Sequence, residues 1–352
     1  MEESCKELWG SYEKELIEQY VQRKQPFSVC LELTPLCNFS CPMCYIRLTP
    51  EQMRAQGEPL STERWKQIID EVSNMGALHL EMTGGEILTR ADFPELYEYA
   101  YRKGLLINLK TNGYLLTEKT LLLLERCKPR LVEITLYGSS DKTYQAFCGV
   151  PDGFSVVSRN IEFLQEWGIR VETPMTVTKR NQADEEAVRA WAEQRGIHFS
   201  SYTGLIRPIR TAERDVSELW VQPTEAESSI TENMRFRSYT PSNRNPLFCR
   251  GFGAKFCVSW DGRMTLCNGF TMIWEDVRAG SLQAAFSRLN ERLSCLKRPK
   301  ACDNCRYIDF CVACPSRLQS ETGGLETVSE ALCSVARKNY RRILEIREDE
   351  TE

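Results

Sequence analysis

The sequence predicts an α/β fold built on a parallel sheet, and three observations carry that prediction. Between residues 27 and 200, strand-like apolar runs alternate with amphipathic helical stretches about six times, the pattern of repeated β–α units. The motifs that carry chemistry fall where those strands end, the edge at which such folds build their sites. The chain has 352 residues, 42% of them hydrophobic, enough for one large domain or a large one plus a small one.

Leu8, Tyr12, Leu16, Ile17 and Tyr20 recur at helical spacing and predict a helix over residues 7–23, packed outside the sheet or sealing one end of it. Residues 27–34 alternate in the manner of a strand. Thr62 opens a helix with Glu63 in its first turn and an apolar stripe of Trp65, Ile68, Ile69 and Val72. A strand at 77–83 and a helix at 93–101 follow. The strand at 105–110 ends in the turn-forming Thr111-Asn112-Gly113. Next come a helix at 115–127, a strand at 131–136, and a helix at 154–167 stopped by Gly168. A strand at 169–177, a helix at 183–194 stopped by Gly196, and a last strand at 197–200 complete the series. About six units are too few for a closed eightfold barrel. From 202 to 247 the pattern fades into polar sequence with Pro208, Pro223, Pro241 and Pro246, read as a bridge back toward the mouth of the sheet.

The net charge of −4 and a pI near 5.6 argue against a nucleic-acid partner, which favours a basic face. No apolar run reaches the length of a membrane span. The start, Met1-Glu-Glu-Ser-Cys-Lys-Glu, lacks the basic and apolar regions of a secretory signal, so a cytoplasmic protein is expected. Sixteen cysteines beside two histidines are many for that compartment and point to metal, iron–sulfur rather than zinc.

Three of those cysteines stand in Cys37-Asn-Phe-Ser-Cys41-Pro-Met-Cys44-Tyr45. Three thiolates on one tight loop can hold three irons of a four-iron cluster and leave the fourth iron open. A structural zinc site would close with four ligands, and no further cysteine follows nearby. The loop resembles that of the radical S-adenosylmethionine (SAM) enzymes, in which this spacing is followed by an aromatic residue. The resemblance implies an open (β/α)6 partial TIM barrel. It also implies that the open iron chelates the amino and carboxylate groups of SAM, whose reductive cleavage yields a 5′-deoxyadenosyl radical. Thr83-Gly84-Gly85-Glu86, about forty residues on, is similar to the family's motif for the SAM amino group. Gly84 and Gly85 let the backbone approach a ligand, and Glu86 supplies a carboxylate for the ammonium. By the same resemblance Tyr45 lies near the adenine, and Asn112 and Thr135 touch the ribose or carboxylate of SAM.

A second set comprises Cys249, Cys257 and Cys267, then Cys302-x2-Cys305-x5-Cys311-x2-Cys314, then Cys333, with Gly262 five residues before Cys267. Eight cysteines suffice for two fully ligated four-iron clusters. The arrangement resembles the SPASM domain that follows many radical SAM domains, although the family commonly shows three residues between the last two cysteines of the middle run, where this chain has two. That resemblance implies one cluster on Cys249, Cys257, Cys267 and Cys314 and an outer one on Cys302, Cys305, Cys311 and Cys333, three [4Fe–4S] clusters in all. The expected division is a helical segment at 1–30, the partial barrel at 31–201, a bridge at 202–248, the SPASM domain at 249–340 and a charged tail at 341–352. Cys5, Cys30, Cys127, Cys148 and Cys295 remain. Cys148 is expected near the barrel mouth, where a thiol could return hydrogen to a substrate radical.

SPASM-bearing enzymes mostly modify peptides or proteins, so the resemblance implies a maturase of a ribosomally made precursor peptide that forms a crosslink or oxidised residue. A flavodoxin- or ferredoxin-like reductant and a separate leader-recognition protein are the expected partners. Sulfatase maturases carry a basic aspartate directly after the third SPASM cysteine; Asn268 stands there and cannot take a proton. An epimerase using Cys148, a small-molecule dehydrogenase acting on a sugar or aminocyclitol, and an iron–sulfur or zinc scaffold are the rival readings.

Overall fold

The computed structural model describes residues 15–208, 216–221, 249 and 251–349. The expected bridge lies mostly outside them, as do Cys5 and the end of the charged tail. The described part of the first predicted helix is helical over residues 15–22.

Six parallel strands form the frame: β1 (Ser28–Glu32), β2 (His79–Thr83), β3 (Leu106–Thr111), β4 (Leu131–Ile134), β5 (Val171–Thr176) and β6 (His198–Tyr202). Helices join them: α1 (Pro50–Gln56) and α2 (Thr62–Asn74), then α3 (Phe93–Arg102), α4 (Glu118–Arg126), α5 (Asp141–Cys148), α6 (Gly153–Glu166) and α7 (Glu185–Glu193). This is the open β/α sheet of a partial barrel. The sequence pattern missed α1 and α5, both short. Each begins at a hydroxyl N-cap, Thr49 and Ser140, rather than at an extended apolar stripe.

Period-two alternation splits each strand between two faces. Val29, Leu31, Leu80, Met82, Ile107, Leu109, Val132 and Ile134 are buried against the helices, including the α2 stripe Trp65, Ile68, Ile69 and Val72. Ser61 caps α2 by accepting a hydrogen bond from the Arg64 amide, and the chain leaves it through Gly76 at φ 80°. The opposite, inner face carries Cys30, Glu32, Glu81, Lys110 and Glu133. Lys110 lies 3.1 Å from Glu81 and 3.4 Å from Glu133, so a charged row crosses the interior.

The chain then returns to the same sheet. β7 (Lys255–Val258) pairs parallel with β1, and β8 (Arg263–Thr265) and β9 (Glu275–Asp276) follow antiparallel, giving the order β6-β5-β4-β3-β2-β1-β7-β8-β9. Gly262, read from the sequence only as a spacer before Cys267, turns the β7–β8 hairpin at φ 82°. Three helices, α8 (Leu282–Ser294), α9 (Pro315–Thr322) and α10 (Glu330–Asp349), complete the described chain. Among the described residues no helix is long and apolar enough to cross a membrane.

Candidate active site

Cys37, Cys41 and Cys44 lie on the loop that leaves β1, and the ends of β2 and β3 hold that loop. The Gly85 and Glu86 amides donate to the Thr34 and Leu36 carbonyls at 2.7 and 2.8 Å. A Cβ on Gly84 would stand 2.5 Å from the Thr34 carbonyl oxygen, and one on Gly85 2.3 Å from that of Leu36. The glycines were expected to admit a ligand; what approaches them here is the backbone of the cysteine loop itself. Asn112 donates to Asn38 at 2.8 Å and toward the Cys37 sulfur at 3.7 Å.

Glu86 is fully buried, and its carboxylate accepts from the amides of Leu88 (2.9 Å) and Asn112 (2.7 Å) and from the Thr111 hydroxyl (2.8 and 2.9 Å). Burial pushes its carboxyl pKa up, and these donors pull it back. A carboxylate offers about four lone-pair positions, so Glu86 is engaged by its own chain. It braces the β2 and β3 ends to each other. Thr111, which the sequence reading passed over, is part of that brace; the strand-end turn Thr111-Asn112-Gly113 was its only signal.

Burial raises the Cys37 thiol to about 12, with Glu86, Cys41 and Cys44 adding to the rise. The Cys41 thiol is also pushed up, first by the Cys148 side chain 3.7 Å away and then by burial. Cys148 closes α5, is buried, and packs on the cysteine loop that leaves β1. Tyr45 follows Cys44, and its hydroxyl accepts from the Asn268 side-chain amide at 2.8 Å. Burial raises the phenol, and Glu32, Cys30, Cys44 and Cys267 add to it. The residue after the third cysteine of the first set thus bonds to the residue after the third cysteine of the second. Thr135 follows β4 and is half-buried.

The remaining cysteines sort into groups by their mutual influence. Cys249, Cys267 and Cys314 act on one another: burial raises Cys249, and raises Cys267 to about 12, while the Lys255 ammonium opposes both. Cys302, Cys305, Cys311 and Cys333 form the other group; burial and these neighbours raise Cys302 to about 11. Cys257 pairs across β1–β7 with Cys30, sulfur to sulfur 3.3 Å. Strand register puts it there, a constraint that cysteine spacing does not encode. Among the described residues no three such side chains meet closely enough for a single metal ion. A four-iron cluster takes one thiolate per iron, and the three-thiol loop and the four-thiol outer group have the donor chemistry for it.

A three-thiol loop braced at the strand ends of an open parallel sheet defines a class of α/β protein. Residues 31–192 match the model of the radical SAM superfamily and form a domain of that kind. The chain is 31% identical over 199 residues to the antilisterial bacteriocin subtilosin biosynthesis protein AlbA of Bacillus subtilis, 54% of this chain and 44% of that protein. It is 34% identical over 156 residues to an AdoMet-dependent heme synthase of Methanosarcina barkeri, 44% of each. The chain thus spans less than half the length of these relatives. The solved structure of anSMEcpe with bound AdoMet and Cp18Cys peptide superposes over 92% of this chain and 99% of that one, with a TM-score of 0.67 and 17% identity, a likeness of fold.

Proposed function

We propose that this protein is a radical SAM maturase of a ribosomally made peptide, with SAM, a [4Fe–4S] cluster on Cys37, Cys41 and Cys44, and two auxiliary clusters of the SPASM type. The observation that carries the reading is the Tyr45–Asn268 hydrogen bond at 2.8 Å, which joins the SAM-type loop to the second cysteine set across one polar interior. When bound, SAM and its cluster supply a 5′-deoxyadenosyl radical that removes a hydrogen atom from the substrate. The protein's part is to position and to exclude water. Asn112 and the Glu86 brace hold the cysteine loop; Thr135 and Tyr45 stand at the rim where SAM binds; Glu86 acts on SAM through the Thr111–Asn112 turn. Cys249, Cys267 and Cys314 hold the inner auxiliary cluster, and Cys302, Cys305, Cys311 and Cys333 the outer one. A flavodoxin- or ferredoxin-like protein delivers the electron, and a separate protein presents the precursor's leader.

The relatives support the reading unequally. AlbA is named for the biosynthesis of a bacteriocin, and anSMEcpe was solved with a peptide; the heme synthase keeps a small-molecule substrate as the second reading. Mass spectrometry of candidate precursor peptides after anaerobic co-expression decides between them. A peptide lighter by about two mass units is the expected result, since a two-electron oxidation removes two hydrogens. No peptide change, with turnover of a tetrapyrrole or sugar, would select the small-molecule reading.

A further inference from the structure

Cys148 is a thiol that none of the roles above uses, and it meets a cysteine of the first set. Its sulfur lies 3.7 Å from that of Cys41, and both residues are buried. The backbone fixes it there. Gly149, at φ 77°, stops α5 directly after Cys148. The Cys148 carbonyl then accepts from the Ser40 amide at 2.9 Å, so one residue holds the cysteine loop by main chain and side chain together.

The surroundings are aromatic. Phe39, on the loop, meets the rings of Tyr114, Tyr137 and Tyr144 edge-on at 5.6, 5.9 and 6.2 Å, and Tyr137 meets Phe147 at 6.0 Å. A hydrogen bond to sulfur counts for more in such a medium than in water. Cys37 receives the Phe39 amide at 3.3 Å and faces the Asn112 side chain at 3.7 Å. Cys41 has Cys148 and the Tyr137 side chain. In the metal-free pair either thiol can donate to the other. Iron removes that choice. A Cys41 sulfur that binds iron has given up its proton and only accepts, so the S–H that remains belongs to Cys148.

We infer that the Cys148 thiol donates a hydrogen bond to the iron-bound Cys41 sulfur and raises the reduction potential of the first cluster, an inference that rests on the cluster assignment of the preceding subsection. One-electron reduction adds negative charge that a cluster shares with its sulfur ligands. A donor to sulfur therefore stabilises the reduced form more than the oxidised one, and hydrogen bonds to the sulfurs are among the levers that set such potentials. Cys148 touches no reactant; it is a positioning residue that acts through Cys41. With this bond in place a flavodoxin-like donor keeps a larger fraction of the cluster reduced.

The test compares wild-type, Cys148→Ala and Cys148→Ser holoenzymes. Alanine and serine are close in volume and differ in the donor. The potential is read by EPR-monitored redox titration, from the part of the signal that added SAM perturbs. Cys148→Ala should load iron as wild type and shift the one-electron equilibrium toward the oxidised form by about threefold or more, which is about 28 mV or more at 59 mV per tenfold. Cys148→Ser, whose hydroxyl still donates, should lie nearer wild type than the alanine variant. With a flavodoxin-like donor, 5′-deoxyadenosine formation in Cys148→Ala should fall by about the factor of the equilibrium shift. With excess titanium(III) citrate, which drives the cluster fully to its reduced form, it should return to within about twofold of wild type.

A shift below about threefold in Cys148→Ala overturns the inference. So does a serine variant no better than the alanine one, or a loss of deoxyadenosine that titanium does not restore. If Cys148→Ala loads iron poorly, Cys148→Val, which fills the space without a donor, takes its place. Failure of both to load would make the thiol part of cluster assembly and overturns the inference as well. A wild-type protein with no SAM-sensitive iron–sulfur signal brings down the cluster assignment itself, and this inference with it.

Discussion

The loop of Cys37, Cys41 and Cys44 is tied to four separate elements, whereas the run from Cys302 to Cys314 is tied mainly to itself. In the first region, hydrogen bonds reach the β2 end (Gly85 to Thr34, 2.7 Å), the β3 end (Asn112 to Asn38, 2.8 Å), α5 (Ser40 to Cys148, 2.9 Å) and the chain before α1 (Leu48 to Pro35, 3.0 Å). In the second, backbone bonds span three residues at a time: Cys302 to Pro299, Cys305 to Cys302, Ile308 to Cys305, Cys311 to Ile308. Its tertiary ties include the edge contacts of Tyr307 and Phe310 with Tyr340, the Asn339 bond to the Phe310 carbonyl, and the packing of Val312 and Ala313 on the main core. Long-range bonds let the sheet organise the first loop before any metal arrives. On the proposed reading, the local turns of the second region draw stability from the outer cluster, since binding free energy is then folding free energy.

The largest effect should come from the first region. Replacing Cys37, Cys41 and Cys44 together by alanine should abolish 5′-deoxyadenosine formation and lower iron from about twelve to about eight per chain, the loss of one four-iron cluster. SAM cleavage surviving in that variant would end the assignment of the loop. Chelating the iron should next separate the regions: amides of residues 302–314 should lose exchange protection by about a hundredfold, while β1, β2 and β3 keep theirs. Equal losses, read by hydrogen exchange, would erase the comparison.

Glu86→Gln removes a buried charge that accepts several hydrogen bonds, a loss on the order of 1.5–3 kcal/mol each where charge-assisted. SAM binding should weaken roughly ten- to a hundredfold at unchanged iron content, measured by equilibrium dialysis. Unaltered affinity would confine the brace to stability.

The pH dependence of loading is milder. Burial holds the Cys37 thiol at about 12, so it is protonated at neutral pH and iron must displace the proton. Affinity for the first cluster should therefore rise with pH, by up to about tenfold per pH unit for each proton displaced. A flat profile between pH 7 and 9 would mean the loop thiols are ionised before iron binds. The smallest effect is expected at Cys257. Cys257→Ser should leave iron near twelve, whereas Cys249→Ser should cost about four. Four irons lost at Cys257 would restore it to the inner cluster and displace the pairing with Cys30.

Much of the frame was legible because strands and helices leave different periods. The α2 stripe Trp65, Ile68, Ile69 and Val72 and the turn at Thr111-Asn112-Gly113 stood out at their places. The helix α5 did not, because its eight residues offer barely two turns of pattern. Glu32 was in view as one polar position of an alternating strand, but alternation alone does not say which face becomes an interior.

The amino-acid sequence by itself determined the three-thiol loop, the strand-end turn beside it and the run of β–α units, because covalent spacing and hydrophobic period are local properties. Tertiary structure alone decided that β7 lies against β1, so that Cys257 meets Cys30, Tyr45 meets Asn268, and Glu32 lines a cavity with Cys257 and Asn268. Those contacts join residues more than two hundred positions apart. They depend on the register of a strand that returns to the sheet, and register is set by the packing of the whole.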